Sequence, residues 1–226
     1  MSGALGRREP TDYEHVAKYA LSALPVTPSG VPVVLGCNWH TAFDNPVKVG
    51  NTWWIGRGGN LGSVRGGHAI CLEPYVKPRD IAGWWRYYDQ GPDGACVGFS
   101  CSRMMSLLNR KRYDAPWLYH RAQLVDEYPD TPPAEGSSVR AGCDVLRLQG
   151  ALRSGESNPR PEDGIRANRW ATSAGEVVAA LGNPDAQYCK LVNSWGTSYP
   201  ERVFMPISVL DRLLNEGGEA VVVTDR

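Results

Sequence analysis

The sequence predicts an α+β chain in which a helical centre is flanked by strand-forming ends. Three observations carry this. Short apolar, β-rich runs are confined to the two ends, VPVVLGCNW from Val31 and HAICLEPY from His68 on one side, QYCKLVNSW and EAVVVTD on the other. Segments with helical spacing occupy the middle, from about Ala95 to Gln149. The changes of character fall at an aromatic link, GWWRYYDQG from Gly83, and at a Pro/Gly-rich stretch, SGESNPRPEDG from Ser154. Residues 1–78, 79–164 and 165–226 are therefore read as a sheet-forming segment, a helical lobe and a second sheet-forming segment of one domain. A chain of 226 residues, 42% hydrophobic, can bury one sizeable core or two small lobes against each other.

Taken in order, Thr11 and Glu14 form a capping-box pattern, and Val16, Tyr19, Ala20 and Leu24 follow with helical spacing. A first helix is expected from near Asp12 to just before Pro25. The Val31 strand follows Pro28, Ser29 and Gly30, and a glycine-rich loop from Gly56 to Gly67 leads to the His68 strand. Helices are predicted over 95–109, 115–126 and 139–149, with Ser138 capping the third and Gly150 closing it. EYPDTPPAEG between the last two is loop, and SGESNPRPEDG is expected to be a flexible surface connection. Ser173 and Glu176 open a helix that ends at Gly182, and a short helix lies near Ile207 to Asn215. There is no internal repeat.

Composition excludes several partners. With 24 basic and 24 acidic residues the formal net charge is zero, which is not the footprint of a nucleic-acid binder or of a protein held on anionic membranes. No run is apolar enough to span a bilayer, and the N-terminus lacks a secretory pattern, so a cytoplasmic, reducing setting is expected. There most of Cys37, Cys71, Cys96, Cys101, Cys143 and Cys189 stay free thiols. Cys37-x-x-His40 and His68-x-x-Cys71 have ligand-like spacing, but residues three apart on an extended strand face opposite ways, so His68 and Cys71 cannot easily grip one ion, and no metal site is predicted. Gly56 to Gly62 hints at a phosphate loop. No helical pattern follows it, so an ordinary loop beside the cleft is the better reading.

The densest chemical signal is Asp89-Gln90-Gly91-Pro92-Asp93-Gly94-Ala95-Cys96-Val97-Gly98-Phe99-Ser100, with a cysteine in the first turn of a helix after a glycine-rich turn. Unpaired amides and the positive end of the helix dipole favour a thiolate there, and a neighbouring imidazolium would lower the thiol pKa further. Attack on a carbonyl creates an oxyanion, for which the Cys96 N–H and the Gln90 side-chain amide are candidate donors. His68, after Gly66 and Gly67, is the candidate base, with His40 as the alternative; His15 and His120 read as surface residues. Asn193 in Asn193-Ser194-Trp195-Gly196 is the candidate orienter.

The segment from Gln90 to Ser100 resembles the active-site stretch of the papain-like cysteine peptidases. There a glutamine and a glycine lie six and five residues before the nucleophile, and a phenylalanine-serine pair follows it, as Gln90, Gly91, Phe99 and Ser100 do here. The residues from Tyr113 to Gly150 look like the helical lobe of bacterial and phage-type members. GGHAI looks like the family's base histidine on its strand, and NSWG like the asparagine that orients the imidazole with the tryptophan, Trp195, that shields it. The resemblance implies a papain-like two-lobed fold and a cofactor-free hydrolase that cleaves peptide or isopeptide bonds of a polypeptide substrate through a thioester at Cys96. Peptidoglycan amide hydrolysis with the same dyad, or a binding module that kept the fold and lost turnover, remain alternatives. Three features depart from the pattern, the first being that a disulfide-forming cysteine usually present before the nucleophile is absent, with Pro92 and Asp93 in its neighbourhood. Val97 stands where the family commonly has tryptophan, and the chain order is histidine, cysteine, asparagine instead of cysteine, histidine, asparagine. That order requires the His68 and Asn193 strands to be antiparallel neighbours across more than a hundred residues.

Overall fold

The structure, a computed structural model, describes residues 30–75, 83–126 and 135–226. The expected helix near Asp12 and most of EYPDTPPAEG lie outside the described residues. The N-terminal part supplies β1 (Val33–His40), a hairpin of β2 (Val47–Val49) and β3 (Thr52–Trp54), and β4 (Val64–Glu73). The C-terminal part supplies β5 (Ala167–Ala171), β6 (Tyr188–Val192), β7 (Arg202–Pro206) and β8 (Glu219–Asp225). These join in one mixed sheet of order β2-β3-β7-β6-β4-β1-β8-β5, antiparallel throughout except where β3 meets β7. Helices α1 (Cys96–Asn109), α2 (Ala115–Val125) and α3 (Val139–Leu148) come from the middle of the chain, and α4 (Ala174–Ala180) and α5 (Ile207–Asn215) from its C-terminal part. The chain is thus mixed α+β, as its residue patterns predict.

Period-two alternation gives the sheet two apolar faces. Val33, Leu35 and Trp39 of β1, Ile70 and Leu72 of β4, and Val222 of β8 pack with Val177, Leu210 and Leu213 of α4 and α5. Val34, Ala69, Cys71, Val221 and Val223 face the other way, onto Met104, Met105, Leu118, Val145 and Leu146 of α1 to α3. Within β4, His68 therefore shares the face of Ile70 and Leu72, while its neighbour Ala69 faces α1.

Local chemistry sets the helix ends. Asp114 caps α2 through Trp117 N–H, Ser138 caps α3 through Ala141 N–H, and Ser173 caps α4 through Glu176 N–H. In contrast, α1 starts after Ala95 with no side-chain cap, so its first amides face the residue at the start of the helix, Cys96. Gly98 lets α1 approach α2: a Cβ there would lie 2.6 Å from Tyr119 N and 2.8 Å from the Ala115 carbonyl oxygen. Backbone atoms of a packed helix cannot yield cheaply. Gly98→Ala is expected to destabilise the fold by about 1–3 kcal/mol or more, read as a lower urea midpoint at unchanged m-value.

Four strands were not expected from sequence, the two of the β2–β3 hairpin, β5 and β7. The stretch from Ser154 to Gly164 also differs from the flexible connection expected. Ala151 bridges Arg160, and the buried Asp163 carboxylate holds both Arg153 and Lys111, the latter at 3.0 Å. A buried carboxylate needs such partners, and meeting that need pins the segment down.

Candidate active site

β4 and β6 are antiparallel neighbours, with Cys71 opposite Val192. Just beyond that pairing His68 Nε2 lies 2.9 Å from Asn193 Oδ1, with both residues buried. The same Oδ1 accepts the Ser194 backbone N–H at 2.9 Å. A backbone amide can only donate, so the atom facing it is the oxygen, and His68 Nε2 must then be the donor. The imidazole is fixed as the Nε2–H tautomer, and its Nδ1 is left with a bare lone pair, which is what a base needs. Trp195 and Trp39 enclose the ring, with centroids at 5.1 and 4.8 Å. Trp195 in this role follows the sequence reading. Trp39 does not; it stands across from Gly66 on β1, a register that no local pattern discloses.

Cys96 begins α1 and is half-buried, whereas the other five thiols are buried. The backbone N–H groups of Ala69, the residue after His68, of Val97 and of Cys96 itself favour its thiolate form. The thiol thus sits against the His68 strand and over the uncapped helix start. No hydrogen bond runs directly from Cys96 to His68. Burial outweighs these amides and pushes the thiol pKa up. Burial also lowers His68 to about 4, with the Asn193 contact and Asp44 opposing and Arg65 reinforcing the fall. The lowered thiol pKa expected from sequence is therefore corrected: the helix start and the amides are present, but desolvation is larger, and at neutral pH the Cys96 thiol is held protonated and the His68 imidazole neutral.

That pair has a consequence for stability. His68 titrates near 6.5 when unfolded and near 4 when folded. The unfolded chain binds this proton more tightly, so stability is full above about pH 6.5 and declines as the pH falls to 4, by about 3 kcal/mol in total. Urea titrations at several pH values should show this loss, and His68→Gln should remove that part of it.

Gln90 is brought to the same place by a short antiparallel bridge between the aromatic link and the NSWG segment. Asp89 pairs with Trp195, Gln90 N–H donates to Ser194 O at 2.8 Å, and Gly196 N–H to Tyr88 O at 3.1 Å. Gly196 has φ +60°, and a Cβ on it would lie 2.3 Å from an Asp89 carboxylate oxygen, so the crossing needs glycine. One Gln90 Nε2 hydrogen goes to the Asp93 carbonyl at 2.9 Å. The second Nε2 hydrogen makes no hydrogen bond among the described residues, and Oε1 is buried without a partner.

The alternative base is engaged elsewhere. His40 is buried at the end of β1 with Nε2 2.7 Å from Glu216 and Nδ1 3.3 Å from the Gly62 carbonyl. His120 is exposed on α2, as its position suggested, and His15 lies outside the described residues. Among the described residues no group of three or more His, Cys, Asp or Glu side chains could hold a metal ion, and no helix is long and apolar enough to cross a membrane.

Comparison with known proteins adds no relative: no protein-family model matches the chain, no curated protein matches it, and no solved structure matches it.

Proposed function

We propose that this chain is a papain-like cysteine hydrolase with rearranged segment order, in which Cys96 attacks a peptide or isopeptide carbonyl. The observation that carries the reading is the buried His68–Asn193 hydrogen bond. It leaves Nδ1 bare on a strand whose next amide, that of Ala69, favours the Cys96 thiolate. In the forward step the Sγ–C bond forms as the thiol proton passes to His68 Nδ1 and the carbonyl π electrons move to oxygen. The Cys96 N–H and the free Gln90 Nε2 hydrogen receive that oxyanion. Its collapse expels the amine, which takes the proton from His68, and leaves a thioester for water to cleave. A neutral resting pair suits this sequence, since the proton moves only as charge develops on the substrate.

The pushed-up Cys96 pKa also favours a second reading, a module that kept the site and lost turnover, because a retired thiol has no need of a low pKa. p-Nitrophenyl acetate separates the two. The hydrolase should release a burst of nitrophenolate and carry an acetyl group on Cys96, found by peptide mass mapping. Absence of both burst and adduct with folded protein would leave the binding module. Cell-wall digestion with a Cys96→Ala control then separates peptidoglycan from polypeptide as substrate.

A further inference from the structure

The sequence gives no role to Arg103, yet its side chain is 1% exposed. It lies seven residues after Cys96 on α1, two turns along the same face. Among the described residues no carboxylate forms an ion pair with it, although Glu201 and Glu73 favour its charge. Its guanidinium carbon sits 4.1 Å from the Trp85 ring centroid and 4.4 Å from that of Tyr88, and Nη2 donates to the Arg86 carbonyl, while Nε has no partner. Trp85 also carries the guanidinium of Arg202 from β7, at 4.2 Å, and its Nε1–H donates to Glu201. Arg202 and Lys190 both bind the buried Glu73 of β4, at 3.0 and 2.8 Å. The link from Trp85 to Tyr88 is thereby gripped by the nucleophile's helix on one side and by the sheet on the other.

A buried guanidinium that makes no ion pair among the described residues and touches two ring faces and one carbonyl is a poor device for stability alone, since an apolar side chain of similar size would fill the space without the desolvation cost. What the cation does that such a chain would not is fix the orientation of two rings and a carbonyl together. Tyr88 and Gln90 are the residues whose backbone groups bond Gly196 and Ser194. We propose that Arg103 is a positioning residue for Gln90: it locks residues 85–88 to α1 so that the free Gln90 Nε2 hydrogen is held beside Cys96. The proposal rests on the hydrolase reading for its catalytic meaning, and on the packing alone for its structural meaning.

Both are tested in Arg103→Met and Arg103→Lys, with Gln90→Ala used to assign the Gln90 side-chain amide in ¹⁵N spectra. In folded Arg103→Met the Gln90 amide signals should move toward free-amide positions, and in Arg103→Lys, which restores the charge without the planar fork, return part of the way. Acylation by p-nitrophenyl acetate should slow by about tenfold to a hundredfold at unchanged KM. Iodoacetamide alkylation of Cys96, which forms no oxyanion, should stay within about twofold. Arg103→Met should cost nothing further in the Gln90→Ala background. Unmoved Gln90 signals, or losses that multiply in the double variant, overturn the proposal; if Arg103→Met does not fold, Arg103→Lys is read by the same criteria. If wild-type Cys96 is never acylated, the hydrolase reading fails, and the spectra still decide whether Arg103 positions Gln90.

Discussion

In a His68→Ala variant, acylation of Cys96 by p-nitrophenyl acetate is expected to fall by about 10²–10⁴-fold, the span that a positioned base contributes. The loss arises because the thiol pKa is pushed up by burial, so without an acceptor little thiolate exists at neutral pH. Asn193→Ala should cost much less. It removes one hydrogen bond that selects a tautomer, worth about 1 kcal/mol or a several-fold change in rate, while Nδ1 can still take a proton. The pH profile separates a base from a merely structural histidine. In the wild type, acylation should persist down to mildly acidic pH and fall as the pH drops through about 4, where His68 gains its proton. In His68→Ala that limb should vanish, and the residual rate should climb with pH as the thiol ionises unaided. Equal losses in both variants, or an acid limb that survives without His68, would mean that the histidine does not act as drawn.

Much of this arrangement is legible in residue order because it rests on local chemistry. The helix over Cys96–Asn109 follows from its apolar spacing, and Ser138 and Ser173 mark helix starts through the amides they cap. Cys96, Gln90, His68 and Asn193 could be singled out because each sits in a short, chemically demanding context. The hidden parts depend on register or on a balance of opposing energies. Trp39 belongs to the site only because β1 pairs with β4 so that Cys37 faces His68 and Trp39 faces Gly66, a match between segments that neither encodes alone. β5 is five residues with a single buried position, β7 buries Val203 and Met205 but carries the apolar Phe204 between them so that its sequence does not alternate, and β2 is exposed throughout. Arg103 reads as an ordinary helix-surface arginine until Trp85 and Tyr88 close over it. The direction of the Cys96 shift escaped for another reason. A helix start and an imidazole are visible in sequence, but the depth of burial that outweighs them is a property of the assembled fold.

The central claim is that Cys96 and His68 act as one unit, and differential alkylation tests it most directly. Five thiols are shut in the core, with burial pushing Cys37 and Cys189 up to about 12 and raising Cys71 further. Cys101 is raised by its contact with Cys143 as well as by burial. Cys96 is half-buried, three backbone amides favour its thiolate, and the base proposed for it is largely neutral at neutral pH. With limiting iodoacetamide on the native protein at neutral pH, peptide mass mapping should find the label on Cys96 ahead of Cys37, Cys71, Cys101, Cys143 and Cys189, and the Cys96 rate should drop sharply in folded His68→Ala. Labelling of Cys96 no faster than of the five core thiols, or at a rate indifferent to His68, would contradict the dyad.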